Sequence, residues 1–269
     1  MNEVIESLDN PTIKEVRSLT KKKYRTNLKK YFIEGKRIVE EALLHGALIE
    51  KIITTASYRW DQEILDSTLD PRLKGIEILR VTEKVFRSIA KTESPQGIIA
   101  VIHKEERSLD NTLSELPENP FIVTLENIQD PGNMGTIIRT AEAGGVDLIL
   151  VTKNSTDPYG EKALRSSMGA VFLIPIIEVE GMYWVNLLKK QEIQFIATDL
   201  SAKKSYEELD YHGGINLIIG NEGRGISKEL LDRADEKTII PIYGNIESLN
   251  ASIASGILIY KAREKRNLH

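Results

Sequence analysis

Apolar runs alternate with amphipathic stretches through the second half of the chain. The runs are five to seven residues long and rich in isoleucine, valine and leucine. Strands buried on both faces have this near-continuous apolar pattern, and alternation with helices is typical of a parallel sheet. We therefore predict an α/β fold with a mostly parallel sheet and helices on both of its faces. The predicted strands are residues 121–125, 146–151, 171–177, 194–198, 215–219 and 238–242.

The first part of the chain predicts a smaller α/β unit. Residues 10–30 have a helical pattern, with Asn10 as its N-cap and Pro11 at the first helical position. Residues 34–45 predict an amphipathic helix. The apolar side of that helix carries Ile38, Val39, Ala42 and Leu43. Further short strands and helices are predicted at residues 49–54, 58–67, 76–81, 82–90 and 98–103.

Residues 105–120 are predicted to link two domains. This segment is charged, contains two prolines and shows no long periodic pattern, although a short helix near Leu113 is compatible with it. We therefore predict a first domain at residues 1–104, a linker at 105–120 and a second domain at 121–269.

Composition excludes several classes of protein. The 269 residues include no cysteine, which excludes disulfides and thiolate metal sites. The four histidines show no ligand spacing, so we expect no metal. No apolar run is long enough to span a bilayer, and residues 1–9 lack the apolar core of a signal peptide. We expect a soluble, cytoplasmic protein without a membrane partner.

One segment near the N-terminus is strongly basic, although the net charge of the chain is −4. Glu15 is the only acid among its eight basic residues, and Tyr24, Tyr31 and Phe32 are interleaved with them. Basic side chains neutralise phosphates and aromatic rings stack on unpaired bases, so the pattern favours RNA binding. A solvated basic face with core aromatics fits equally well from charge alone. The basic residues are Lys14, Arg17, Lys21, Lys22, Lys23, Arg25, Lys29 and Lys30.

Three polar, glycine-bearing turns follow predicted strands of the second domain. They lie at residues 127–140, 220–225 and 244–250, and each leads toward a helix. Ser227 is the predicted N-cap of the helix after the second turn. In open α/β sheets, ligands bind beyond the carboxyl ends of strands, and glycines let the backbone come close to them. We therefore predict a ligand site formed by these turns.

Together, the three turns resemble the motifs of the SpoU (TrmH-like) RNA ribose 2′-O-methyltransferases of the SPOUT superfamily. The matching patterns are N-x-x-D-P-x-N-x-G-x-x-x-R-T, G-x-E-x-x-G and I-P-x-x-G-x-x-x-S-L-N, in the order of the family. The resemblance implies a C-terminal trefoil knot and S-adenosylmethionine as methyl donor. More loosely, the start of the chain is similar to an L30e-like domain that binds substrate RNA.

The resemblance also implies roles for particular residues. Gly220, Ile240 and Leu249 are expected to contact S-adenosylmethionine, mainly through backbone groups, and Asn221 lies in the same loop. Core packing of Ile240 and Leu249 and a plain turn at Gly220 are the alternatives. The expected catalytic residues are Arg139, Asn133, Glu222, Ser248 and Asn250.

These catalytic roles differ in kind. Arg139 is expected to orient the ribose or to assist proton removal, and we prefer orientation because a neutral arginine is costly. Asn133 is expected near the same ribose, with helix capping as the alternative, as for Ser248 and Asn250. Glu222 is expected to pair with Arg139 or to position Asn133.

Assembly and substrate follow from the same resemblance. Relatives in the family are homodimers, and small residues beside an apolar stripe on the final helix favour a two-fold dimer through the second domain. The large N-terminal domain favours 23S ribosomal RNA as substrate over transfer RNA, by analogy only.

The sequence disfavours two other classes of protein. A nicotinamide-dependent dehydrogenase is disfavoured, because residues 220–225 lack G-x-G-x-x-G spacing and residues 238–242 do not end in an acidic residue. A non-catalytic RNA-binding protein is disfavoured because the expected catalytic residues are all present.

Overall fold

The computed structural model describes residues 4–59, 73–221 and 223–266. The chain divides into two compact units. The first comprises Met1–Glu106 and Tyr159–Arg165, and the second comprises Arg107–Pro158 and Ser166–His269. The predicted element at residues 58–67 falls largely outside the described residues.

The first unit is built on a four-stranded sheet with the order β1-β4-β2-β3. Strands β1, β4 and β2 are antiparallel neighbours, whereas β3 is parallel to β2. Its core includes Ile13 and Val16 of α1, Phe86 of α4 and Phe32 of β1. The elements are α1 (Pro11–Ser18), α2 (Lys22–Leu28), β1 (Lys30–Glu34), α3 (Lys36–Leu44), β2 (Ile49–Thr55), β3 (Glu77–Val81), α4 (Glu83–Ile89) and β4 (Ile98–His103).

The single helix predicted at residues 10–30 is wrong, although its start is confirmed. The Asn10 side chain accepts a hydrogen bond from the Thr12 backbone N–H at 2.9 Å, and Pro11 opens α1. The helix ends at Ser18, and the shorter α2 ends where Lys29 adopts a left-handed conformation. Lys30 then begins β1, whose central residues are buried beside β4. Pairing with a strand about seventy positions away, which a local pattern does not reveal, decides this segment.

The second unit is built on a six-stranded, wholly parallel sheet with the order β10-β8-β9-β5-β6-β7. The predicted parallel sheet is thus confirmed. Its strands are β5 (Phe121–Leu125), β6 (Leu148–Thr152), β7 (Ile176–Val179), β8 (Gln194–Thr198), β9 (Ile215–Ile219) and β10 (Glu236–Thr238). The remaining helices are α5 (Leu109–Glu115), α6 (Pro131–Ala143), α7 (Glu161–Ser167), α8 (Tyr183–Lys190), α9 (Lys228–Leu231) and α10 (Ala251–Arg266).

Helices cover both faces of this sheet. Apolar residues of α5, α8 and α9 form one cluster with Ile218 and other buried strand residues. Leu217 alternates with Ile218 along β9 and is equally buried, so it points to the opposite face. On that side α10 packs against α6, and a Cβ at Gly144 would lie 2.4 Å from the Ile259 side chain. No helix in the described ranges is long and apolar enough to cross a membrane.

Three expectations change in the second unit. Residues 170–172 form a turn of 3-10 helix, so the predicted strand at 171–177 is displaced to Ile176–Val179. The strand predicted at 238–242 ends at Thr238, because Ile239 pairs instead with the backbone of Lys204 and Tyr206 at 3.1 Å each. Within the predicted linker, Leu109 and Leu113 of α5 are buried in the core of this unit.

Candidate active site

A cavity of about 330 Å³ lies at the carboxyl ends of β8, β9 and β10. Its walls come from the segments that follow these three strands and from the start of α10. The lining is mostly apolar, with polar groups from the loop after β9, from the end of β8 and from the segment before α10. This composition suits an organic ligand held by apolar contacts and a few polar groups.

All four residues predicted to contact the cofactor line this one cavity. Gly220 and Asn221 follow β9, Ile240 follows β10, and Leu249 precedes α10. Ile240 and Leu249 are half-buried, and their backbone groups form no hydrogen bond with any residue in the described ranges. Backbone groups without partners beside apolar walls fit a nucleoside ligand, whose ring is apolar on its faces and polar at its edge.

The glycine at position 220 is required by the loop itself. A Cβ there would lie 2.5 Å from the carbonyl carbon of Gly225 and 2.6 Å from the Ile226 nitrogen. No side chain tolerates such contacts with backbone, so even alanine would push the loop apart. Gly220 is therefore a turn glycine, as the alternative interpretation held. It allows the backbone at position 220 to approach the backbone of Gly225 and Ile226 in the same loop.

Asn221 holds the same loop together. Its side-chain oxygen accepts hydrogen bonds from the backbone N–H groups of Gly223 and Arg224, at 2.9 and 3.0 Å. Its side-chain nitrogen donates to the Asn127 carbonyl oxygen at 3.1 Å. The amide thus ties the loop after β9 to the segment after β5, and it shapes the cavity wall.

A buried carboxylate braces the far end of this loop. Glu126 follows β5 and is 6% exposed, and its Oε2 accepts a hydrogen bond from the Ser227 backbone N–H at 2.8 Å. Ser227 is the N-cap of α9, as predicted, and accepts from the Leu230 N–H at 3.4 Å. Sequence reasoning missed Glu126, because its partner lies about a hundred positions away.

Two of the predicted catalytic residues bind each other. The Asn250 side-chain nitrogen donates to the Asn133 side-chain oxygen at 3.1 Å. Asn133 lies in the first turn of α6, whose N-cap is Asp130, so the capping alternative for Asn133 is wrong. The capping alternative for Asn250 is correct, because its side-chain oxygen accepts from the Ser252 backbone N–H at 2.9 Å.

The other three predicted catalytic residues lie in different surroundings. Ser248 lines the cavity. Arg139 is exposed on α6 and forms no ion pair or hydrogen bond with any described residue. Glu222 lies outside the described residues, so its expected pairing with Arg139 or Asn133 stays a prediction.

Comparison with known proteins assigns the fold and the motifs to one family. Residues 120–260 match the SpoU rRNA Methylase family. The chain belongs to this family. Residues 10–100 match the MRM3-like substrate binding domain. The predicted family is thus confirmed over the second unit, and the first part of the chain matches a domain described as substrate-binding.

Similar proteins cover almost the whole chain. The 23S rRNA (guanosine(2553)-2′-O)-methyltransferase RlmP of Bacillus subtilis is 34% identical over 96% of this chain and 98% of its own length. An AdoMet-bound rRNA methyltransferase structure from Sinorhizobium meliloti is 30% identical, covers 97% of both chains and has a TM-score of 0.84. AviRb from Streptomyces viridochromogenes, solved with AdoMet, is 25% identical with a TM-score of 0.85, over 95% of this chain and 98% of its own.

These similarities confirm the predicted enzyme class. As a SpoU-family member, the chain is an RNA ribose 2′-O-methyltransferase that uses S-adenosylmethionine. The cavity described above is lined by residues of both the second and the third motif.

Several basic side chains of the N-terminal segment in this SpoU-family chain are bound by other groups of the protein. Lys14 pairs with Asp9 at 2.8 Å, and Lys29 pairs with Glu106 at 2.6 Å. Arg17 donates to the Ser88 hydroxyl at 2.9 Å. Arg25 donates to the carbonyl oxygens of Leu19 and Thr20, at 2.8 and 3.0 Å. Ion pairs and hydrogen bonds therefore engage four of the eight basic residues, and the partners of Arg17 and Lys29 are distant in sequence.

Lys30 is the most strongly engaged of the eight. Its ammonium is 3.0 Å from Glu15 and 2.6 Å from Glu50, and its side chain is 16% exposed. Burial alone would lower the pKa of Lys30, but hydrogen bonds with Glu50 and Glu15 raise it above the ordinary lysine value. Lys30 is therefore engaged by carboxylates within the first unit and is little exposed for binding RNA.

A lysine triad remains at the junction of α1 and α2. Lys21, Lys22 and Lys23 are exposed, and none of them forms an ion pair with a described residue. Tyr24 beside them is 41% exposed, whereas Tyr31 and Phe32 are buried at 4% and 6%. The core interpretation is thus correct for two of the three aromatics, and the triad with Tyr24 is the open part of the segment.

Proposed function

We propose that this chain methylates a ribose 2′-hydroxyl of 23S ribosomal RNA. The observation that carries the proposal is the single cavity that combines Gly220, Ile240 and Leu249 at the carboxyl ends of parallel strands. The similarity to the 23S rRNA enzyme of Bacillus subtilis over nearly the full length supports ribosomal RNA as the substrate. Transfer RNA is the alternative substrate, and it is an outcome of the test below.

S-adenosylmethionine supplies an electrophilic methyl group on its sulfonium. We infer that the backbone groups of Ile240 and Leu249 bind the nucleoside part, and that Asn221 and Glu126 keep the surrounding loop in place. A ligand held in one orientation reacts as if at high effective concentration, which accounts for much of the rate in an in-line transfer.

Arg139, Asn133 and Ser248 act on the RNA side in this proposal. The exposed guanidinium of Arg139 is available to bind a phosphate next to the target ribose and so to orient its hydroxyl. Asn250 fixes the orientation of the Asn133 amide through its hydrogen bond.

The two parts of the chain divide the work in this proposal. Residues 1–104 form an L30e-like domain that binds RNA through Lys21, Lys22, Lys23 and Tyr24. Residues 121–269 carry out methyl transfer in the cytoplasm, with a trefoil knot around the cavity. The match of residues 10–100 to a substrate-binding domain supports this division.

We also propose a homodimer through α10. Ile253 and Tyr260 on this helix are 55% and 54% exposed, whereas Leu258 and Ile259 are buried. Large apolar side chains on the outer face of a helix favour a partner surface.

The direct test is methylation in vitro with purified chain and S-adenosylmethionine. Unmodified 23S ribosomal RNA and bulk transfer RNA are offered separately, and 2′-O-methyl nucleosides are mapped by mass spectrometry. Modification of ribosomal RNA alone is the expected result. Modification of transfer RNA alone would refute ribosomal RNA as the substrate and support transfer RNA instead.

A further inference from the structure

An acidic residue outside the three motifs lines the cavity. Asp199 directly follows β8, and it is the only carboxylate among the described lining residues. Its backbone N–H donates to the Thr238 carbonyl oxygen at 2.9 Å. This bond fixes Asp199 beside Thr238, which lies two positions before Ile240 in the chain, and both Asp199 and Ile240 line the cavity where the nucleoside is proposed to lie.

Part of the Asp199 carboxylate is already used locally. Its Oδ1 accepts hydrogen bonds from the Ser201 backbone N–H and hydroxyl, both at 2.8 Å. These hydrogen bonds lower the pKa of Asp199 below the ordinary aspartate value. The group is therefore ionised at neutral pH and acts as a pure acceptor. Its Oδ2 forms no hydrogen bond with any residue that the structure describes.

A carboxylate at the end of a parallel strand is well placed to bind the ribose hydroxyls of a nucleoside. In dinucleotide-binding sheets, an acidic residue at such a position accepts hydrogen bonds from the ribose hydroxyls. Residues 238–242 do not end in an acidic residue, so the last strand of the chain does not supply this group. The sheet order instead places β8 between β10 and β9, so the acid comes from Asp199, which lies earlier in the chain.

We propose that Asp199 accepts hydrogen bonds from the ribose hydroxyls of S-adenosylmethionine. Oδ1 stays in the turn with Ser201, and Oδ2 faces the ribose. This assignment rests on the cofactor site proposed above. It adds a charged contact to a site whose other proposed contacts are mainly backbone groups.

Isothermal titration calorimetry tests the contact without requiring RNA or turnover. The ligands are S-adenosylhomocysteine and its 2′,3′-dideoxy analogue, and the proteins are wild type and Asp199→Asn. Asparagine retains an oxygen for the turn with Ser201, so the loop is expected to stay folded. Ser201→Ala is the matched control, because it removes a turn partner and leaves the carboxylate.

We expect the effect of removing the ribose hydroxyls from the ligand to depend on whether the protein has the Asp199 carboxylate. Wild type should bind the dideoxy analogue about ten- to a hundredfold more weakly than S-adenosylhomocysteine, the range for hydrogen bonds to a charged group. Asp199→Asn should lose most of this difference, whereas Ser201→Ala should keep it. An unchanged ratio between the two ligands in Asp199→Asn would overturn the ribose contact.

The proposed cofactor site itself is tested by the wild-type titration. Wild type that binds neither ligand would refute both the cofactor site and the ribose contact. If wild type binds tightly but the effects of Asp199→Asn and of the dideoxy analogue on affinity are purely additive, the cofactor site is supported and the Asp199 contact is refuted.

Discussion

The Asn250 side-chain nitrogen donates a hydrogen bond to the Asn133 side-chain oxygen across 117 positions of sequence. At the same time, the oxygen of the Asn250 amide caps α10 through the Ser252 N–H and hydroxyl, at 2.9 and 2.6 Å. One side chain thus begins the last helix and joins it to the first turn of α6. Both ends of the amide are used, since the nitrogen donates and the oxygen accepts.

Replacing Asn250 should separate these two tasks. Serine retains a capping oxygen but is too short to reach Asn133, whereas alanine removes both contacts. We expect Asn250→Ala to lower the free energy of unfolding by about 1 kcal/mol relative to Asn250→Ser. Urea denaturation measures this difference. Methyl transfer should fall in both variants if the Asn133 orientation matters, and wild-type rates in Asn250→Ser would argue against that role.

Arg139→Ala should reduce kcat/KM for the RNA by at least about a hundredfold, because the guanidinium is expected to orient the target ribose. Cofactor affinity should be unchanged, since Arg139 does not line the cavity. A radiolabelled methyl-transfer assay and calorimetry with S-adenosylhomocysteine report the two effects separately. Arg139→Lys is the matched variant, and it should recover only part of the rate because lysine lacks a planar fork. Full activity of the alanine variant would exclude the catalytic role.

Replacing Lys21, Lys22 and Lys23 together with glutamine should weaken RNA binding and flatten its salt dependence. Each phosphate contact on single strands contributes a log–log slope of about −0.7 through counterion release. RNA binding across a salt series measures the slope, with calorimetry of the cofactor alongside. The control replaces the exposed Lys74, Lys84 and Lys190, with the same change in charge. Equal slopes for the two triple variants would mean that the triad is only a solvated face.

The chain should form a dimer of twice its 30.3 kDa mass. Ile253→Asp should shift it to the monomer, because a charge would be buried in the proposed α10 interface. Light scattering at micromolar concentration measures the mass. Leu44→Asp is the matched control, since Leu44 is 63% exposed and lies in the first unit. A wild-type monomer would refute the dimer.

The Lys30–Glu50 ion pair should make stability depend on pH at both extremes. Burial alone would raise the pKa of Glu50, but Lys30 and Lys51 lower it below the model-compound value of 4.5. A lowered carboxyl pKa contributes stability that is present above that value and lost as pH falls through the folded-state pKa. The raised pKa of Lys30 contributes stability that is lost as pH rises above 10.5. Thermal unfolding from pH 3 to 11 tests the prediction.

Lys30→Met should flatten both limbs of that profile. It should also lower stability at neutral pH by roughly 0.5–1 kcal/mol, because Glu50 is only half-buried and keeps Lys51 as a partner at 2.8 Å. Lys29→Met is the control, because Lys29 pairs with Glu106 at the surface, where such a pair contributes little. A profile for Lys30→Met that matches wild type would mean that the pair has no thermodynamic role.

Elements with a local signal could be predicted from the amino-acid sequence. Residues 98–103, 121–125, 194–198 and 215–219 are strands with the predicted bounds, because a continuous apolar run between polar turns has few other stable environments. The caps at Asn10 and Ser227 were equally predictable, since a cap acts within its own turn. The motif order was sufficient to predict the family.

Features that depend on partners distant in sequence could be seen only in the folded structure. Residues 30–34 became a strand because β4 pairs with them, and Lys30 became structural because Glu50 lies beside it. Glu126 and Asp199 entered the site because the sheet order brings β5 and β8 next to β9. The local pattern of apolar and polar residues indicates which side chains are buried. Which residues those side chains contact depends on the order of the strands in the sheet, and that order depends on the free energy of the whole fold.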